Sequence, residues 1–319
     1  MAVIMGTSGD DTGAKALFGT AFADFINGLE GDDMLYGGGA DDVLVGGKGS
    51  DDIYGGSGQD TVSYLYSDQG VMVDLQSGLA HAEGDDTDSL SNVEIVWGSN
   101  EVDLLMGSSG ADTFLGWDGD DRLIGRGGGD ALSGGKGFDT ADYMTSDAAV
   151  SVNLATGAIS GGDAAGDRLT SIEGLNGSAY GDTLVGNGTA NHLYGYHGND
   201  TLRGGGGADL IEGGVGKDSL WGGSGADTFK FSVAESAATK SDADIIKDFS
   251  EAQGDKIDLT AFGDLDFIGG DAFNAPDQAR TFTSDGNTFV AINETGNSTA
   301  EMYIRLDGLH SLEQNDFIL

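Results

Sequence analysis

The sequence has no cysteine among its 319 residues, which rules out a disulfide framework and thiol catalysis. Basic residues are scarce: 14 Lys and Arg face 54 Asp and Glu, a net charge of −40. A chain so acidic is repelled by nucleic acid phosphates, so a nucleic-acid partner is excluded. No stretch approaches the roughly 20 apolar residues of a membrane-spanning helix. Residues 1–11 lack the basic n-region and long apolar h-region of a Sec signal peptide. Catalytic signatures are missing as well. The four histidines, His81, His192, His197 and His310, form no HExxH helix, and neither a GxSxG nucleophile turn nor a phosphate-binding loop occurs.

What the chain has in abundance is glycine, 58 residues of it, and the glycines are phased. Residues 204–230 read GGGGADLIE, GGVGKDSLW, GGSGADTFK, with Asp at position six of each nine-residue unit and a large apolar residue at position eight. Glycines at positive φ turn the backbone back sharply and let carbonyls point into one small volume. The Asp adds charged oxygen to that volume, and the four residues that follow are too few for a helix but enough for a short strand with one face inward. If two units complete a coil, turns 18 residues apart stack on the same edge at about 4.8 Å. Carboxylates at that spacing repel unless a cation separates them. Ca2+, which takes about 6–8 oxygens at roughly 2.3–2.6 Å in flexible geometry, suits the gap.

After a weak first unit in residues 1–18, expected to be an N-terminal cap, five units in residues 19–63 carry Asp24, Asp33, Asp42, Asp51 and Asp60. Phe22 stands where a turn glycine belongs, which makes that turn suspect as a metal site. The phase then breaks for 34 residues, resumes with Asp103, Asp112, Asp121, Asp130 and Asp139 in residues 98–142, and breaks again for 34. The two breaks match at an offset of 79: Tyr64 with Tyr143, Asp88 with Asp167, Glu94 with Glu173. Residues 19–97 and 98–176 are therefore one β-roll module written twice, and the breaks read as ordered strands with longer loops that continue the roll. A third block, residues 177–230, carries Asp182, Asn191, Asp200, Asp209, Asp218 and Asp227. Joining position-six residues 18 apart gives about ten calcium sites as an upper figure. Residues 231–319 change composition, with strand-like TFVAIN and AEMYIRL expected to run antiparallel and cap the open end of the solenoid. The fold class is thus all-β: a parallel β-roll solenoid with a C-terminal β cap, disordered when calcium is absent.

The units resemble the GGxGxDxUx repeats of RTX (hemolysin-type calcium-binding) proteins. Residues 242–319, with DxIxDF and GDKIDL, look like the C-terminal module shared by serralysin-type proteases and mannuronan epimerase repeat modules. The resemblance implies turn carbonyls beside each Asp, contributed by Gly28, Gly37, Gly46, Gly55, Gly107, Gly116, Gly125, Gly134, Gly186, Gly195, Gly204, Gly206, Gly213 and Gly222. It also implies export from a Gram-negative bacterium by type I secretion machinery, with the terminal Asp316-Phe317-Ile318-Leu319 as part of the signal, and folding outside in millimolar calcium. Met1 lies close to the first unit, which suggests a whole reading frame.

Three roles are compatible with these features. The first is a non-enzymatic calcium-binding protein of the cell surface or matrix. The second is an accessory module or divergent relative of a secreted polysaccharide-modifying enzyme or hydrolase. The third is an adhesin or binder of extracellular polysaccharide. His192 and His197 read as side chains on the roll surface, and Trp97, Trp117 and Trp221 as packing residues.

Overall fold

A nine-residue period leaves no room for a helix. In the computed structural model, which describes residues 1–82, 86–232, 239–296 and 299–319, short strands alternate with glycine turns through the repeats. Each strand pairs in parallel with the strand two units on. Ile26 lies beside Leu44, Leu35 beside Ile53, Phe114 beside Leu132 and Ile211 beside Phe229. Two units therefore make one coil, and odd and even units build two facing sheets. The position-eight side chains fill the space between them: Ile26, Leu35, Leu44, Ile53, Val62, Leu105, Phe114, Leu123, Leu202 and Phe229 are fully buried. Each contributes about 1.5–3 kcal/mol of burial free energy, set against a glycine-rich backbone that loses more entropy than most on ordering.

The chain divides into two compact units, residues 1–143 with 163–172, and residues 144–162 with 173–319. In the first, one sheet runs parallel throughout, from Val3–Met5 to Arg168–Thr170. The other sheet carries the first sequence break. Thr87–Ser91 continues the coil from Asp52–Ser57, Met72–Asp74 leads into Leu104–Met106, and Leu79–His81 is wedged between them, antiparallel to both. Among its described residues the break is therefore strand and turn, as its alternating pattern predicts, with one strand reversed.

In the second unit the matching hairpin pairs Ser151–Asn153 with Ala158–Ser160, and the first of these is parallel to Thr183–Val185. Beyond the repeats the roll goes on further than expected. Asp244–Ile246 and Lys256–Asp258 pair in parallel with Ser219–Ser224 and Thr228–Lys230. The antiparallel layer is confined to Gln278–Ser284, Asn287–Asn293 and Met302–Leu306. Asp285 and Gly286, at φ 53° and 78°, form the tight two-residue turn that matches strand twist. The terminal DFIL is part of the structure as well: Phe317–Ile318 pairs with Lys256–Asp258, and Phe317 is buried with its ring 4.8 Å from that of Phe267.

Candidate metal centres

The turns stack as the 18-residue spacing requires, and the position-six residues form ladders along both edges. The backbone N–H of Asp24 donates to Oδ1 of Asp42 at 2.8 Å, and that of Asp42 to Oδ1 of Asp60 at 2.9 Å. The same bond joins Asp33 to Asp51, Asp103 to Asp121, Asp112 to Asp130 and Asp121 to Asp139. In the second unit it joins Asp182 to Asp200, Asn191 to Asp209, Asp200 to Asp218 and Asp209 to Asp227. Every pair drawn from the sequence spacing is brought together.

One carboxylate oxygen is thereby accounted for; the other often is not. Oδ2 of Asp33, Asp42, Asp51, Asp60, Asp121, Asp130, Asp200, Asp209, Asp218 and Asp227 is buried and accepts no hydrogen bond. Leaving a charged oxygen out of water without a partner is costly, so the unliganded groups resist ionisation. Burial first, and then the facing carboxylates of Asp88 and Asp33, push Asp51 up to about 8. Burial, with Asp218 and Asp182 on either side, does the same to Asp200, also to about 8. Asp121 and Asp130 are raised to about 7, and Asp209 and Asp218 to about 6, burial leading in each case.

Glycine opens each of these turns because nothing larger fits. A Cβ on Gly28 would overlap Oδ2 of Asp33 and the carbonyl of Gly46; on Gly37, Oδ2 of Asp42 and the carbonyl of Gly55; on Gly204, Oδ2 of Asp209 and the carbonyl of Gly222. Carboxylate and carbonyl oxygen thus face one small volume, a cradle for a hard cation. Gly46, Gly107, Gly116, Gly125, Gly134, Gly186, Gly195, Gly213 and Gly222 are likewise set against the Asp or Asn of their own turn. Gly206 sits elsewhere, with Ser224 Oγ nearest. Among the described residues no three His, Asp or Glu side chains converge as a metal cluster. An ion held here would draw on backbone carbonyls as well as carboxylates, the all-oxygen set of calcium and not the nitrogen and sulfur set of zinc.

Other turns satisfy their Asp internally. Thr20, Ser99, Ser108 and Ser178 occupy position two, and each donates its amide N–H to Oδ2 of Asp24, Asp103, Asp112 or Asp182 at 2.5–2.7 Å. Their hydroxyls donate to the same carboxylates. Asn187 does likewise with its amide toward Asn191. The Gly19 turn, suspect for Phe22, belongs to this set through Thr20.

The ladders also extend past the regular repeats. Asp11 donates to Asp33, Asp51 to Asp88, Asp60 to Glu94, Asp130 to Asp167, Asp218 to Asp244 and Asp227 to Asp255, all through the backbone N–H. Asp88 and Asp167 are capped on Oδ2 by the buried hydroxyls of Tyr64 and Tyr143, at 2.9 and 3.1 Å. The 79-residue offset had matched both pairs without assigning them to the ladder. His192 and His197 are exposed on the surface. Arg203 stacks over Trp221 at 3.7 Å, and Trp97 meets Trp117 edge to face at 6.2 Å.

This architecture is that of an RTX calcium-binding β-roll, and the RTX calcium-binding nonapeptide repeat matches residues 16–44 and 31–62. The Peptidase M10 serralysin C-terminal family matches residues 91–319, so the chain belongs to that family. Two solved structures from the Azotobacter vinelandii mannuronan C5-epimerase are similar. The AlgE6R3 subunit is 29% identical over 44% of this chain and 79% of its own, with a TM-score of 0.36. The AlgE6R2 subunit is 30% identical over 45% and 90%, with a TM-score of 0.35. The extracellular lipase LipA from Serratia marcescens is 14% identical over 99% of this chain and 39% of its own, with a TM-score of 0.31. No curated protein matches by sequence.

Proposed function

We propose that the protein is exported unfolded through a type I secretion machinery, folds outside a Gram-negative cell by binding several calcium ions, and acts without catalysis at the cell surface or in the surrounding matrix. The observation that carries this reading is the set of buried, partnerless Asp Oδ2 atoms stacked along the roll. At the low calcium of a cytoplasm they would oppose folding; in millimolar calcium each becomes a ligand, and binding energy becomes folding energy. The RTX repeats and the serralysin C-terminal family support export by this route.

The test is far-UV circular dichroism of the purified chain at neutral pH. A largely disordered spectrum in EGTA, converting to β structure on adding calcium but poorly with magnesium, is expected, since magnesium demands near-octahedral geometry and gives up water reluctantly. Full β structure in EGTA would overturn the reading.

A further inference from the structure

We propose that the second residue of each turn decides whether that turn takes a cation: held at positive φ it leaves the Asp open to calcium, and as Ser, Thr or Asn it closes the Asp with internal hydrogen bonds. This rests on the calcium reading above and goes beyond it, because it divides turns that share the same glycine and the same acid.

Two sets of residues carry the argument. Turns whose Asp Oδ2 is partnerless have Gly38, Gly47, Gly56, Gly205, Gly214 or Gly223 at position two, all at positive φ, or a larger residue forced into the same region: Leu29 at 86°, Trp117 at 80°, Arg126 at 61° and Tyr196 at 71°. Thr20, Ser99, Ser108, Ser178 and Asn187 are not among the positive-φ residues, and there the position-two amide points at its own Asp or Asn. A carboxylate that already accepts an N–H and an O–H has its lone pairs engaged, and a calcium ion would have to displace those donors to bind.

The Gly107 turn is closed twice over. Ser108 caps Asp112, and the guanidinium of Arg126, bonded to Asp74 Oδ1 at 2.6 Å, also donates to the carbonyl of Gly107. A cationic side chain of the protein thus engages the turn carbonyl itself. Five of the six regular ladders start with a closed turn, Asp24, Asp103, Asp112, Asp182 and Asn191 standing first in their runs of 18-residue steps, while the sixth starts with the open turn of Asp33. Closed turns give the roll a rung that forms without metal, on which open turns can stack.

The experiment counts calcium bound to the full chain by native mass spectrometry, with circular dichroism to confirm folding. Ser108→Gly combined with Arg126→Gly should bind one calcium more than the unaltered chain. Ser108→Ala, which keeps both the backbone conformation and the amide donor, should add none. Leu29→Ser, the converse change in an open turn, should bind one fewer. An unchanged count in both the double variant and Leu29→Ser, with the unaltered chain binding several ions, overturns the rule while the calcium reading stands. No bound calcium in the unaltered chain overturns both. Should the double variant fail to fold, the loss or retention of an ion in Leu29→Ser decides the matter.

Discussion

The turn at Gly28 and the turn at Gly107 occupy the same place in a 79-residue plan written twice, and both lie in the same compact unit. Each sets an Asp and the carbonyl of the following coil's glycine against its own Cα: Asp33 with Gly46, Asp112 with Gly125. Each passes its Asp N–H to the next acid in the ladder. Two of the differences between them bear on the Asp. Leu29 and Gly47 in the first copy become Ser108 and Arg126 in the second. With Leu29 at φ 86° the Oδ2 of Asp33 is partnerless, whereas Asp112 is capped by Ser108 and lies beside a guanidinium. The β-roll needs the glycine and the apolar core in both copies; whether a given turn needs an ion is set separately, by residues the fold itself does not demand.

The largest expected effect of this difference is on the whole chain and depends on pH. The open carboxylates have folded-state values raised to about 8 for Asp51 and Asp200 and about 7 for Asp121 and Asp130, against an ordinary value of 3.8. For an acid whose value is raised on folding, the stability it lends is fully present below the unfolded value and is lost as pH rises through the folded one. Without metal the roll should therefore be most stable near pH 4 and fail between about pH 6 and 8. In calcium the dependence reverses, because binding needs the ionised groups and releases their protons. Far-UV circular dichroism across this range, with EGTA and with calcium, checks both halves. A roll in EGTA that gains structure as pH rises would contradict the burial of open carboxylates.

A smaller effect separates single acids. Asp42 belongs to an open turn between two ladder partners, whereas Asp24 is capped by Thr20 and by the N–H of Ala2, hydrogen bonds that hold its carboxyl below the usual range. Asp42→Ala should remove bound calcium and raise the concentration needed for folding. Asp24→Ala should leave the calcium count unchanged and lower stability modestly through its orphaned donors. Tyr64→Phe and Tyr143→Phe probe where the copies agree. Each strips Oδ2 of Asp88 or Asp167 of its hydroxyl, at a cost of about 1–3 kcal/mol. Calcium-dependent melting of the four variants reads all of these. Equal calcium losses for Asp42→Ala and Asp24→Ala would erase the distinction between open and closed turns.

Much of this was legible in the sequence, and the rest was hidden for identifiable reasons. Position eight announces the core because burial there selects apolar residues, and a period of nine fixes the stacking of Asp33 on Asp51 or Asp200 on Asp218. Asp88, Asp167, Asp244 and Asp255 escaped because they join the ladder across 37, 37, 26 and 28 residues, with no glycine pair in register ahead of them; Gly161 and Gly162 stand one residue too early before Asp167. Residues 244–258 were assigned to a cap because the glycines stop; the strand pairing continues without them, since parallel coils need the turn only where an ion or a tight reversal does. Thr20 and Ser108 look like ordinary turn residues. Only the direction of their amide shows that they substitute for a ligand.

The smallest expected effect tests that direction at Leu29. A branched side chain at φ 86° lies in a region that costs a non-glycine residue on the order of 1–2 kcal/mol, and Leu29 recovers little by burial, being 38% exposed. Glycine removes the strain, while its freer unfolded chain takes back about 0.5–1 kcal/mol. Leu29→Gly should therefore stabilise the calcium-loaded roll by up to about 1.5 kcal/mol and leave the ion count untouched, since the amide keeps its direction and Asp33 stays open. Ser108→Gly alone should do the opposite in weak calcium, because it trades an amide and a hydroxyl on Asp112 for a more flexible backbone. Thermal melts at fixed calcium measure both, and a Leu29→Gly chain that melts well below the unaltered one would show that the leucine side chain contributes packing that outweighs its strain.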